Sequence, residues 1–225
     1  MAGKASFGSS ILAVPGEPAV FDLAVDNTAS VPDVFSFDVD GEPSRWTTVA
    51  PARLQVPAGG RGVARVTCRV PRRPDPPAGA IVLRVAVLSR VARSRPVVAE
   101  AVLRIASFIN VSADLGPPTS TGWRSGDHTV TLRNQGNAPV VATVKVRRAD
   151  DDLVVAVQPA TLAVPPGSAA MSLVTATCRS RLTRGPEQRR AFALRVEVAG
   201  VPPIPLEGEM LQVPRGWLHR APAGG

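Results

Sequence analysis

Tyrosine is absent from this chain, and six Phe with three Trp leave aromatics at 4% of 225 residues. Carbohydrate-binding faces and single-stranded nucleic-acid platforms stack their ligands on exposed rings, so neither ligand is expected as a partner. Histidine is almost as scarce. His128 opens an alternating apolar run, His219 stands near the C-terminus, and neither has a recognisable nucleophile or carboxylate motif beside it. There is no G-x-S-x-G elbow. Gly59-Gly60-Arg61-Gly62 lacks the lysine and the following helix of a phosphate-binding loop. These absences predict a protein that is not an enzyme, with no catalytic residue and no cofactor.

Metal chemistry is equally thin. The two cysteines show no C-x-x-C or C-x-x-H spacing. The densest carboxylate run, Asp150-Asp151-Asp152, lacks the D-x-D-x-D-G spacing of a calcium loop and is preceded by Arg147 and Arg148. It predicts a solvated hairpin turn. Asp38, Asp40 and Glu42 fall at strand spacing and read as one wet face, so no metal site is expected. Long apolar runs are missing too. Ile11-Leu12-Ala13-Val14 is too short for the core of a secretory leader, and no segment has the length of a membrane span. The expected location is the cytoplasm, with no membrane insertion, and export by a leaderless route stays open.

What the chain does contain is a repeat. Pro51-Ala52-Arg53-Leu54-Gln55-Val56-Pro57 returns as Pro159-Ala160-Thr161-Leu162-Ala163-Val164-Pro165. Val66-Thr67-Cys68-Arg69 returns as Ala176-Thr177-Cys178-Arg179, and Val82-Leu83-Arg84-Val85 as Ala193-Leu194-Arg195-Val196. The matches keep their order at an offset of about 108 to 111 residues, which marks a duplicated domain instead of a short solenoid unit. Two copies of about 100 residues each have the size of small β-sandwiches. The predicted domains are 1–107 and 108–213, followed by a flexible tail over 214–225 that contains Trp217. The junction has no Gly/Ser spacer, which predicts a constrained tandem.

The 23 Pro and 19 Gly fall mostly between short β-branched runs. Phe21, Leu23 and Val25 alternate with Asp22, Ala24 and Asp26, and Phe192, Leu194, Val196 and Val198 alternate with Ala193, Arg195 and Glu197. One apolar and one polar face per strand is the signature of antiparallel sheets stacked face to face. The predicted fold class is all-β: two tandem immunoglobulin-like antiparallel β-sandwiches with almost no helix. Strands are expected near 10–14, 19–26, 33–40, 46–50, 53–56, 62–70, 80–88 and 97–106. In the second copy they are expected near 109–114, 127–133, 140–148, 153–157, 161–164, 169–178, 191–198 and 205–213. Cys68 and Cys178 take equivalent places, one per copy, on the apolar phase of their strands. That excludes a disulfide within one sandwich and predicts buried free thiols. Trp46 and Trp123 are expected to pack near strand ends.

The stretch from Pro15 to Val87 resembles bacterial Ig-like modules of the NEW3 (alpha-galactosidase-associated) type. The resemblance rests on Pro15-Gly16-Glu17-Pro18, Asp26-Asn27-Thr28, Trp46-Thr47-Thr48-Val49-Ala50-Pro51, Leu54-Gln55-Val56-Pro57-Ala58-Gly59-Gly60 and the segment from Val70-Pro71 to Ala78-Gly79. The second copy is similar more loosely. It keeps Asn134 and Leu162-Ala163-Val164-Pro165-Pro166-Gly167 and has Leu153 or Val154 where Trp46 falls. The resemblance implies a noncatalytic β-sandwich of the accessory or spacer kind.

The formal charge is +8, and apart from Lys4 and Lys145 every basic side chain is arginine. GC-rich codon usage accounts for such a bias; so does a surface that binds anions. Arg69, Arg72 and Arg73 crowd a proline-rich loop, and Arg90, Arg93 and Arg95 crowd the next connection. If the two sets meet at one end of the first domain, they form a positive patch suited to an acidic protein partner. The functional expectation is a structural or protein–protein interaction protein. The alternatives are an accessory component of a large cytoplasmically assembled particle, such as a phage-tail-like contractile machine, and a hydrolase-associated accessory module.

Overall fold

The computed structural model describes residues 3–8, 10–91 and 96–215. Contacts divide the chain into two compact units between Phe108 and Ile109. The first unit contains β1 (Gly3–Phe7), β2 (Ile11–Ala13), β3 (Ala19–Asn27), β4 (Asp33–Val39), β5 (Thr47–Ala50), β6 (Arg53–Val56), β7 (Arg61–Cys68), β8 (Gly79–Ser89) and β9 (Val97–Ile105). The second contains β10 (Val111–Gly116), β11 (Thr119–Gly122), β12 (Ser125–Asn134), β13 (Val140–Ala149), β14 (Leu153–Gln158), β15 (Thr161–Val164), β16 (Ala169–Cys178), β17 (Gln188–Val198) and β18 (Ile204–Gln212). The one helical element among the described residues is a 3-10 turn over Glu42–Arg45.

Each unit is a sandwich of a four-stranded and a five-stranded sheet. The orders are β1-β3-β7-β5 and β2-β9-β8-β4-β6 in the first, β10-β12-β16-β14 and β11-β18-β17-β13-β15 in the second. Adding nine to each label of the first unit yields the second, so the sequence repeat is a repeat of topology. All pairings are antiparallel except two short edge strands, β2 on β9 and β11 on β18, which run parallel. These two carry the chain from one sheet to the other near the start of each unit.

Period-2 alternation creates both cores. On β7, Ala64, Val66 and Cys68 are buried while Val63 and Arg65 face outward. Across the sandwich, Leu83, Val85 and Val87 of β8 meet them from the other sheet. The second core repeats this with Val174, Ala176 and Cys178 facing Phe192, Leu194 and Val196. Burying a Val or Leu side chain contributes about 1.5–3 kcal/mol, so these stripes dominate the favourable terms.

Four elements were not visible as apolar alternation, or were visible differently. β1 is a short edge strand, Gly-Lys-Ala-Ser-Phe, held by its register against β3. β11 is Thr-Ser-Thr-Gly, with no large apolar side chain, and is defined by its backbone pairing with β18. The run Ile11–Ala13 is a strand as expected, but it belongs to the five-stranded sheet and corresponds to β11, whereas 109–114 corresponds to β1. The turn after β13 is not a hairpin: β13 and β14 lie in different sheets, so Asp150–Asp152 is a crossover.

Both units share one buried polar lock. Asn27, 2% exposed, ends β3; its Nδ2 donates to the carbonyls of Val31 (2.9 Å), Val56 (3.2 Å) and Pro57 (3.0 Å), and its Oδ1 accepts from the Ala29 N–H (3.0 Å). Asn134 ends β12 the same way, with Nδ2 on the Ala138 (2.9 Å) and Val164 (3.0 Å) carbonyls and Oδ1 on the Gly136 N–H (2.9 Å). One amide thereby fastens three strand ends.

Cys68 and Cys178 are fully buried and free. Cys68 Sγ lies 3.3 Å from Thr47 Oγ1, and Cys178 Sγ lies 3.7 Å from Met210 Sδ. Burial pushes both thiols up, away from the reactive thiolate; the Thr47 contact opposes this at Cys68. Both should therefore resist a polar thiol reagent under native conditions and react at once in denaturant, as followed by mass spectrometry. Replacing Asn134 by Ala should destabilise the second unit by about 2 kcal/mol or more, because it strands buried carbonyls and an N–H. At about 4–8 °C per kcal/mol for a domain of this size, calorimetry should show a clear drop in one transition.

Candidate basic cleft and its counterpart

The four-stranded sheet of the first unit carries most of its charge in cross-strand pairs. Asp26 and Arg61 stand opposite each other on β3 and β7 and form an ion pair at 3.0 Å. Asp22 stands opposite Arg65. Past Thr67 this compensation ends. Arg69 follows β7, and its backbone N–H donates to the Trp46 carbonyl at 2.7 Å, holding the start of β5 against the end of β7. Here Arg45, Arg69 and Arg73 line a cleft of about 590 Å³ together with Trp46, the hydroxyls of Thr47, Thr48 and Thr67, Ser44 and Pro71. No carboxylate lines it. Among the described residues, none of the three guanidiniums forms an ion pair; Arg73 Nε donates to the Asp75 carbonyl at 2.9 Å. The Trp46 indole N–H is buried without an acceptor among the described residues.

The expected positive patch is therefore divided. Arg69 and Arg73 come together, joined by Arg45, which the sequence did not single out. Arg45 is brought in by the 3-10 turn, whose short span has no apolar periodicity to signal it. Arg72 turns elsewhere: its guanidinium lies 4.5 Å from the Phe108 ring centroid. Arg90 corrects the expectation outright. The loop carrying Arg69 precedes β8 and Arg90 follows it, so the 11 residues of β8, at about 3.3 Å each, put the two sets at opposite ends of the unit. Arg90 lines a different cleft, with Val34, Ser36 and Arg53. Arg93 and Arg95 lie outside the described residues.

In the second unit the corresponding place is filled. β14 begins opposite Cys178 as β5 begins opposite Cys68. The Arg179 N–H donates to the Asp152 carbonyl at 2.7 Å, as Arg69 does to Trp46. Asp152, not Leu153 or Val154, thus occupies the Trp46 position. Its carboxylate accepts from the Ser180 N–H at 2.8 Å and from the Ser180 hydroxyl, and lies 3.2 Å from Arg190 Nη2. Asp150 meets the other arm of the same guanidinium at 3.2 Å. Arg190 from β17, not the flanking Arg147 or Arg148, supplies the ion pairs of this turn. Ser180 hydrogen bonds hold the Asp152 carboxyl below its ordinary value, with help from the Arg190 and Arg179 charges and against its burial.

His128 is held in the interior by hydrogen bonds at both ring nitrogens. It is fully buried on β12. Nδ1–H donates to the Pro117 carbonyl (2.6 Å), which leaves Nε2 to accept from the Ser120 hydroxyl (2.9 Å), and the ring lies edge-on to Phe192. This resembles half of a nucleophile–base pair. Yet Ser120 is 7% exposed, a backbone carbonyl stands where a triad has its carboxylate, and Gly126 packs so closely that a Cβ there would meet Ser120. The contacts pin β11 to β12. Trp123 donates its indole N–H to the Leu182 carbonyl at 3.1 Å and is covered by Arg215. His219 and Trp217 lie outside the described residues. Among the described residues no three His, Cys, Asp or Glu side chains gather at metal-binding distance, and no helix is long and apolar enough to cross a membrane.

No protein-family model matches the chain, and no curated protein does. Solved structures align over most of its length. The D00-D0 domain of Intimin is 8% identical over 94% of this chain and 99% of its own, with a TM-score of 0.43. The Pseudomonas aeruginosa CupB2 chaperone is 15% identical over 90% and 98%, with a TM-score of 0.36. A protein of unknown function from Porphyromonas gingivalis W83 is 14% identical over 92% and 96%, with a TM-score of 0.30. Likenesses this distant carry no argument about what the chain does.

The Asp152 clasp has a pH signature. A carboxyl whose folded value lies below its ordinary 3.8 contributes stability above that value and loses it as pH falls through the folded one. The second unit should therefore lose stability as the solution is acidified below about pH 4. In Asp152→Asn the same acid range should show a shallower decline from a lower starting stability, measured by urea unfolding across pH.

Proposed function

We propose that this chain is a noncatalytic protein–protein interaction protein whose first unit recruits an acidic partner through the cleft of Arg45, Arg69 and Arg73. The observation that carries the reading is the uncompensated charge. Three guanidiniums share one cleft without a carboxylate, on a sheet whose other arginines stand opposite aspartates. Exposed cations arranged in this way repel one another and attract a group that brings negative charge. Arginine suits that task, because its planar fork pairs with carboxylates in two hydrogen bonds. The NEW3-type resemblance of Pro15 to Val87, which implies a noncatalytic accessory sandwich, supports the same reading. So does the setting of His128, where the Ser–His contact is a buried strut with no approach for a substrate.

Charge reversal tests this. Arg45→Glu, Arg69→Glu and Arg73→Glu are all surface changes and should leave the melting temperature within a few degrees of the parent. In affinity capture from the native cell at low salt, the triple variant should lose partners that the parent retains, and the parent should lose them as salt is raised. Recovery of the same partners at the same occupancy by the variant would refute the proposal.

A further inference from the structure

The duplicated fold contains its own reference for what the cleft accepts. At the end of β7 the first unit presents Trp46 and Arg69; at the end of β16 the second presents Asp152 and Arg179, joined by the same backbone hydrogen bond at 2.7 Å. Around Asp152 the second unit supplies two carboxylates two residues apart, Asp150 and Asp152, and both arms of the Arg190 guanidinium receive them at 3.2 Å. The turn is closed by the Asp152 N–H, which donates to Asp150 Oδ1 at 3.0 Å. The second unit thus pairs Arg190 at this end from within the chain, while Arg179, the counterpart of Arg69, forms no ion pair among the described residues. The first unit has Arg45, Arg69 and Arg73 at the same end, from segments other than the strand that carries Arg190, has no acidic residue in the cleft lining, and leaves about 590 Å³ open.

We infer that the cleft of the first unit binds an Asp-Xaa-Asp turn of a partner protein, two carboxylates at alternate positions, in the place that Asp150 and Asp152 fill in the second unit. This deepens the reading of the cleft as a recruiting site and rests on it. Three features fit that ligand. Two carboxylates spaced by one residue offer four acceptor oxygens to guanidiniums fixed on three separate segments, the 3-10 turn, the end of β7 and the loop before β8. The hydroxyls of Thr48 and Thr67, opposite each other in register, add donors on the floor. Trp46 provides a flat apolar wall for the backbone of the turn, and a cleft of this size holds a few residues, not a folded surface.

A synthetic peptide with Asp-Xaa-Asp in a Gly/Ser context is titrated into the full chain at low salt, with arginine Nε–H signals followed by NMR. Parallel arms use the Asn-Xaa-Asn peptide, succinate and inorganic phosphate. The Asp peptide should saturate the signals of Arg69 and Arg73 and bind at least tenfold tighter than the amide peptide or succinate. Arg69→Gln with Arg73→Gln should weaken it at least tenfold. Trp46→Asp, which places a carboxylate where the second unit has one, should do the same by occupying the cleft from within; if that variant does not fold, the arginine pair decides. Equal binding of the amide peptide, or tighter binding of phosphate than of the Asp peptide, overturns the inference. If the Asp peptide fails while the charge-reversed triple variant still loses its cellular partners, this ligand assignment falls and the recruiting role stands. If the triple variant keeps its partners, both fall.

Discussion

A buried asparagine side chain at one strand end holds each sandwich in register. Where β3 and β12 finish, the chain leaves one sheet for the other, and carbonyls at Val56, Pro57 and Val164 are left facing the interior. A buried carbonyl without a donor costs about 1–3 kcal/mol, so a fold of this kind needs a donor there. An amide is the smallest side chain that donates twice and accepts as well. With strand ends fixed at that end, the apolar stripes of β3, β7 and β8, or of β12, β16 and β17, meet in one register. A slip of one residue would turn every one of them outward.

The asparagine and the cleft lie at opposite ends of the same strand. β7 starts beside Asn27 and finishes at Cys68; β16 starts beside Asn134 and finishes at Cys178. At the asparagine end the two units share three of the asparagine side-chain hydrogen bonds, and Asn27 adds a fourth to the Pro57 carbonyl. At the other end they part: Trp46 gives way to Asp152. The two units thus agree at the end fastened by the asparagine and differ at the other. The divergence is electrostatic. The second unit pairs Arg190 with Asp150 and Asp152; in the first, Arg45, Arg69 and Arg73 line a cleft without a carboxylate.

Outer faces follow the same division. The five-stranded sheet of the second unit is laced by ion pairs, Lys145 with Glu197, Arg195 with Glu197 and Arg189 with Glu209. That of the first unit has Arg84 with Glu100 at 2.8 Å between exposed Val82, Val98 and Val102. Exposed pairs of this sort contribute about 0–1 kcal/mol each and serve solubility more than stability. The cleft arginines differ because no carboxylate shares their lining.

The duplication, the strand pattern and the burial of both cysteines follow from the sequence, because a strand with one buried face writes its geometry as a period of two. Leu23, Val66, Leu83 and their counterparts could be assigned to the core by that period alone. β11 could not, since Thr-Ser-Thr-Gly is a strand only by virtue of the backbone it pairs with. Buried His128 looked like a lone polar residue until Ser120 of β11 and the Pro117 carbonyl of the turn before it were brought to it. The cleft shows the same limit. Arg69 and Arg73 are neighbours in the chain and could be named from it, but Arg45 reaches them only through a crossover between sheets, and Arg90 is carried away along the full length of β8. Sequence proximity fixes which charges share a loop. Which loops share an end of the sandwich, and whether a carboxylate waits there, is decided by strand direction and sheet order, and these exist only once the chain has folded.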